Sequence, residues 1–278
     1  YSPKTVISYQ SDLDQFSQFL LKTYDEPQPE VATFPMIRSW IVSLVEQQLD
    51  PSSVNRKIAC LRSFYKYLLR QEMISKNPMV KVSVLKTQKR LPHFVKETDV
   101  VNLLDTTVPE NTHVAIRDRL ILEFFYGTGM RLSELIGLKD TGINFRDSTV
   151  KVLGKRNKER IIPFPESLGE LISQYKTIRD KEVVKKEHGN LFVTDQGNAL
   201  YPMLIQRMIK KSLKNSSVEK KSPHVLRHTY ATHLLNKGAE INAVKDLLGH
   251  TSLAATQVYT HNSIEKLKKV FDQAHPKA

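Results

Sequence analysis

Cysteine is nearly missing from this chain: Cys60 is the only one in 278 residues. A single thiol excludes an internal disulfide and any zinc site built on paired cysteines. Cys60 falls among Ile58, Leu61 and Phe64, which recur at helical spacing, and no histidine lies near it in sequence. It therefore reads as a small core residue and not as a nucleophile. Glycine is scarce too, with 10 residues beside 13 prolines, and 40% of the chain is hydrophobic, a globular composition. No apolar run has the length of a membrane span, and no charged-then-apolar leader opens the chain, so the expected location is the cytoplasm. Acidic residues are in deficit: 29 Asp and Glu stand against 42 Lys and Arg, leaving a net charge of +13. Such a surplus calls for a polyanion. Anionic lipid would favour a polybasic cluster beside an amphipathic anchor, which is not found. Basic residues run the whole length of the chain instead, as suits a protein that wraps nucleic acid.

What is present is mainly helical. Val6, Tyr9, Leu13, Phe16 and Leu20 form one apolar face, and Ile37, Trp40, Ile41, Leu44 and Val45 a second after Pro35. A third helix follows Pro51, capped by Ser52 or Ser53, and buries Val54, Ile58, Leu61, Tyr65 and Leu68. Its remaining positions include Arg56, Lys57, Arg62, Lys66 and Arg70, which form either a solvated face or one turned toward phosphates. The helical pattern stops at Asn77-Pro78. The stretch from Lys81 to Pro92, with Lys86, Lys89 and Arg90, lacks a core pattern and reads as a basic linker. Three parts result: a helical domain over 1–80, a linker over 81–94 and a larger mixed domain over 95–278. In the last, a helix from His113 to Tyr126 ends at Gly127-Thr128-Gly129, and strands over Thr149–Leu153 and Glu159–Phe164 flank a turn at Gly154 to Lys158.

Five short segments carry candidate chemistry. They are Gly127-Thr128-Gly129-Met130-Arg131 with Glu134, Gly154-Lys155-Arg156, His224-Val225-Leu226-Arg227, Leu248-Gly249-His250, and Tyr259. Each alone has an ordinary structural reading; their order and spacing together do not. An Arg after a glycine turn, a hairpin Lys, His-x-x-Arg, Leu-Gly-His and a Tyr nine residues later resemble the tyrosine recombinase (phage-integrase-type) family, above all its compact Xer-type members. The resemblance covers nearly the whole chain. It departs at Arg156, where family hairpins often carry a second glycine, so the turn loses a residue that accepts positive φ freely. Lys158 is a nearby substitute for Lys155.

The resemblance implies a mainly α fold with a small β-sheet, arranged as a two-domain DNA clamp. A SAM-like N-terminal helical bundle would precede the catalytic domain. It implies a site-specific recombinase that cuts and rejoins duplex DNA through a covalent 3′-phosphotyrosine. Tyr259 is then the nucleophile, Arg131 and Arg227 bind the phosphate oxygens, and Lys155 protonates the leaving 5′ oxygen. His224 assists proton movement, His250 hydrogen-bonds the phosphate, and Glu134 either orients the pocket or faces solvent. Arg156 joins the DNA-contacting candidates Arg56, Lys57, Arg62, Lys66, Arg70, Lys86, Lys89 and Arg90. Neither cofactor nor metal is required: there is no Gly-x-x-x-x-Gly-Lys-Ser/Thr loop, and His224, His228 and His233 lack a zinc-binding pattern, leaving His228 and His233 to the scaffold.

Ile264, Leu267, Val270 and Phe271 form a C-terminal apolar stripe that either folds onto its own domain or docks into a neighbouring subunit, the second being the family arrangement. That implies a dimer on each site and a tetramer, homo- or hetero-, in the synapse, with a septal DNA translocase as a possible further partner. Two other functions compete: a DNA-binding regulator that does not cut, using Gly238–Gly249 as part of a helix-turn-helix, and DNA relaxation of the type IB topoisomerase kind.

Overall fold

The computed structural model describes residues 3–87, 94–106, 112–154, 159–184, 189–249 and 270–274. It divides into two compact units, Tyr1–Arg90 and Leu91–Ala278.

The first unit is built from three helices, α1 (Pro3–Tyr24), α2 (Phe34–Glu46) and α3 (Pro51–Arg70). Phe16, Leu20, Ile37, Trp40, Leu44, Ile58 and Tyr65 meet in its core. Val6 and Val45, expected inward, are 53% and 47% exposed; the buried stripe of α1 begins only at Asp12. The cap of α3 is Asp50, not Ser52 or Ser53: its Oδ1 accepts from the Ser52 amide at 2.9 Å, and Pro51 takes the first helical position. A proline there lacks only an N–H that the helix leaves unused, so the residue before it becomes the cap.

The linker reading needs correction at its start. Met79 and Val82 are buried in the same core, and Leu85 packs on it. Asn55 clamps Leu85 from both sides, Nδ2 donating to its carbonyl at 2.9 Å and Oδ1 accepting its amide at 2.8 Å. Arg62 Nη2 donates to the Val82 carbonyl at 2.6 Å. Residues 79–85 are thus a strap on α3; their irregular backbone hid the few apolar side chains that hold it down.

In the second unit, α4 (Glu97–Thr106) is followed by α5 (His113–Thr128), which packs against two later helices, α7 (Glu166–Glu182) and α9 (Pro223–Asn236). Nearly every residue of α5 from Leu120 onward is buried, as befits a central helix. The short α6 (Leu132–Ile136) leads to a three-stranded antiparallel sheet, β1 (Ile143–Asn144), β2 (Thr149–Leu153) and β3 (Glu159–Pro163), with β2 in the middle. The first strand was not expected; two residues are too few for an alternating pattern. Val150 pairs with Ile162 and Val152 with Arg160, all four facing inward. Two further helices are α8 (Pro202–Ser212) and α10 (Ile241–Leu248). His233 of α9 ties α5 to the chain before α4, accepting from Tyr126 Oη at Nδ1 (3.1 Å) and donating from Nε2 to the Val95 carbonyl (3.0 Å). Burial lowers its pKa, consistent with the neutral ring this pairing needs.

Helical residues 270–274 bear on the C-terminal stripe. Phe271 and Ala274 are buried in this chain's own core, so this part of the stripe covers its own domain instead of standing free for a neighbour. Ile264 and Leu267 lie outside the described residues.

Lys57 also departs from its expected surface role. Its ammonium is buried against Asp12 Oδ1 at 2.8 Å and Gln15 Oε1 at 2.6 Å, 5.9 Å from the Trp40 ring centroid. Arg56 grips the same carboxylate with both Nη atoms. Removing the carboxylate leaves a buried cation uncompensated, which is far worse than a lost surface pair. Asp12→Ala is expected to destabilise the first unit by about 3 kcal/mol, and the double change Asp12→Leu with Lys57→Met should recover much of the loss. Chemical denaturation measures both; an Asp12→Ala protein as stable as the parent contradicts the assignment.

Candidate active site

The site grows from the end of α5. The helix stops at Gly129, whose φ of 59° is left-handed, and a Cβ there would lie 2.4 Å from the Tyr230 ring and 3.0 Å from Leu248. Only glycine fits so tight an approach. Two residues on, Arg131 caps α6, and Glu134 folds back upon it: Glu134 Oε2 accepts the Arg131 amide at 2.6 Å and Oε1 accepts Arg131 Nη1 at 2.9 Å. The sequence left Glu134 either orienting the pocket or facing solvent; it is 3% exposed and holds Arg131, which lines the pocket.

A third participant was missed. Arg160, on the inward face of β3, chelates Glu134 through Nη1 to Oε1 at 2.5 Å and Nη2 to Oε2 at 2.9 Å. The carboxylate thus receives four hydrogen bonds. Burial pushes its pKa up, but the bonds and charges of Arg160 and Arg131 outweigh burial and hold it below the usual carboxylate value. The signal for Arg160 was present in the strand pattern: alternation puts it on the same face as Ile162, where a charge has no ordinary reason to be.

Arg227, on the inner side of α9, donates to the Gly129 carbonyl and the Leu248 carbonyl, both at 2.5 Å. Burial lowers its pKa, and the positive charges of Arg131 and Arg160 lower it further. Arg131 and Arg160 bond Glu134, while Arg227 bonds backbone carbonyls, so three guanidiniums gather around one carboxylate. Such a gathering suits an anion.

The space in front of Arg227 is a pocket of about 220 Å³ lined by Arg131, His224, Arg227, His228 and Leu248. The helix repeat explains the grouping, because 224, 227 and 228 share one side of α9. His228, assigned to the scaffold from sequence, therefore belongs at the pocket. Burial, with help from His224 and Arg227, lowers its pKa and favours a neutral imidazole.

Of the candidates, the structure brings together Arg131, Glu134, His224 and Arg227. Lys155, Arg156, His250 and Tyr259 lie outside the described residues, as do Lys89 and Arg90. Both of these candidate segments have described neighbours: β2 and β3 flank Lys155, and Gly249 immediately precedes His250. On α3, Arg56, Arg62, Lys66 and Arg70 are exposed, and Lys86 is exposed beyond the strap.

Residues 1–72 match the phage integrase N-terminal SAM-like domain, and residues 93–266 match the phage integrase family. The tyrosine recombinase XerC of Chlorobaculum parvum is 37% identical over 303 residues, covering all of this chain and 90% of that protein. The XerC of Listeria monocytogenes serotype 4a is 38% identical, covering all of this chain and 93% of that protein. Among solved structures, XerA recombinase aligns at a TM-score of 0.53 and 26% identity, covering all of this chain and 94% of that one. The fold alone is shared with XerH bound to its palindromic difH substrate, at a TM-score of 0.74 and 21% identity over 95% of this chain and 78% of that one. No described helix is long and apolar enough to cross a membrane. With both domain matches in chain order and full-length relatives of this identity, the chain belongs to the phage integrase family as a tyrosine recombinase of Xer type.

Proposed function

We propose that this recombinase performs site-specific strand exchange with Tyr259 as nucleophile and the arginine pocket as its phosphate site. The observation that carries the reading is the convergence of Arg131 and Arg227 on one pocket beside His224. The Tyr259 oxygen attacks phosphorus, forming a phosphotyrosine bond as the bond to the 5′ oxygen breaks. His224 takes up the phenolic proton, and Lys155 gives a proton to the departing 5′ oxygen. His250 donates to a non-bridging oxygen. A 5′-hydroxyl from the partner strand then reverses the steps and frees the tyrosine. One phosphoester replaces another at each step, so no nucleotide is consumed.

The charge arithmetic supports this assignment. The phosphodiester carries one negative charge, and attack by a tyrosinate adds a second in the five-coordinate state. Two surplus positive charges in the pocket match that state better than the starting diester, which is what acceleration requires. A regulator that never cuts gains nothing from holding desolvated arginines together, and so is disfavoured. DNA relaxation would use the same pocket, but the full-length likeness is to Xer recombinases.

Duplex DNA is the partner, with Arg56, Arg62, Lys66, Arg70 and Lys86 contributing phosphate contacts from the first unit. Lys57 is excluded by its burial. Two copies on each site and four in the synapse, like or paralogous, would meet through cyclic heterologous contacts. A role on chromosomal DNA would put the protein in the cytoplasm at the nucleoid, where a septal translocase is a fitting activator.

Two experiments test the roles. On nicked chromosomal fragments from the source organism, the parent protein is expected to form a covalent 3′ adduct on a denaturing gel, and Tyr259→Phe none; an adduct that persists in the variant overturns the nucleophile. Lys155→Ala is expected to slow cleavage on the order of 100-fold or more on ordinary DNA. With sulfur at the 5′ bridging position, the leaving thiolate needs no proton, so the variant should approach the parent rate. A deficit that remains with sulfur removes Lys155 from the general-acid role.

A further inference from the structure

At the end of α10, three successive carbonyls are each taken by a different arginine. Arg160 Nε donates to Leu247 at 3.2 Å, Arg227 Nη2 to Leu248 at 2.5 Å and Arg131 Nη2 to Gly249 at 3.0 Å. A helix leaves its last carbonyls without intrahelical partners and concentrates negative potential there, so guanidiniums are well matched to the position. Gly249 completes the fit. Its φ is 62°, and a Cβ would stand 2.9 Å from Arg160 Cδ, so the guanidinium stem lies directly against that backbone.

The three arginines are not equivalent. Arg131 and Arg227 line the pocket, and the Arg131 side chain is 30% exposed. Arg160 does not line the pocket and is 4% exposed. Its Nε, Nη1 and Nη2 all point to protein acceptors: the Leu247 carbonyl and both oxygens of Glu134. It therefore has no role in binding the phosphate directly. It does connect what binds the phosphate to what must deliver the nucleophile. Through Glu134 it fixes Arg131, and through Leu247 it fixes the point where the chain leaves α10 toward His250 and Tyr259.

We propose that Arg160 is a positioning residue for strand cleavage, its guanidinium fork holding the Glu134–Arg131 pair and the C-terminal end of α10 in one arrangement. The proposal rests on the pocket reading given above. Lysine keeps the charge, but a single ammonium cannot chelate Glu134 and reach Leu247 at fixed angles. Small displacements of reacting groups are known to cost large factors in rate with little effect on ground-state binding.

The test measures Arg160→Lys and Glu134→Gln, singly and together, on a duplex carrying the site recovered by covalent trapping. Three quantities are read: the unfolding midpoint, the affinity for uncleaved duplex and the first-order rate of covalent adduct formation. Arg160→Lys is expected to stay folded, to bind duplex within about threefold of the parent, and to cleave on the order of 10- to 100-fold more slowly. The double variant should be little slower than the slower single one, because the two residues act through each other. An unchanged cleavage rate overturns the proposal, as does a loss of cleavage matched by an equal loss of affinity. Full additivity in the double variant also overturns it. Failure of both single variants to fold does so too, since the network would then be needed only by the scaffold. If the parent itself forms no Tyr259-dependent adduct, the pocket reading fails, and that outcome is distinct from all of these.

Discussion

The buried carboxylate of Glu134 holds the site together. Four donors saturate it: the amide and guanidinium of Arg131, and both terminal nitrogens of Arg160. A carboxylate in so dry a place is tolerated only because its partners are charged and well aligned. Through it, three parts of the chain that are far apart in sequence share one arrangement: the start of α6, the inner face of β3 and the end of α10. Arg227 joins from α9 through the Gly129 and Leu248 carbonyls. The glycines at 129 and 249 allow this convergence, because a side chain at either would push against Tyr230 or Arg160.

The same network leaves the pocket electrically unbalanced, and the imbalance has a chemical use. One carboxylate among three guanidiniums is too little charge to neutralise them, so Arg227 sits in a positive potential as well as a dry one. On the proposed reading, an incoming phosphodiester would balance part of that charge, and a five-coordinate phosphorus would balance more.

Much of this was readable from residues alone, for definable reasons. Ile37, Trp40 and Leu44, or Val54, Ile58 and Leu61, declare their helices because burial repeats at the helical period. Arg131, His224 and Arg227 were recognisable through order and spacing, and the structure brings these three to one pocket. Arg160 escaped because attention to the hairpin lysine passed over a charged residue on the core face of a strand. Lys57 was misread for a related reason: it lies three residues after Val54 and four before Leu61, on the edge of the apolar stripe, and so should have been suspected of burial. The strap over 79–85 has no periodicity, and its attachment depends on Asn55 and Arg62 meeting backbone carbonyls, which no sequence pattern announces. His228 was set aside as scaffold although it follows His224 by one helical turn.

On the proposed reading, the pocket's surplus positive charge serves the transition state more than the bound diester. Arg227→Lys tests it most directly, because it preserves charge but removes the planar fork proposed to meet the phosphate. Affinity for uncleaved duplex and the first-order rate of adduct formation should be measured on the same site. The rate is expected to fall on the order of 100-fold or more, with affinity changed by no more than about threefold. Equal losses in rate and affinity would contradict it, since Arg227 would then be gripping DNA uniformly before and during the chemical step.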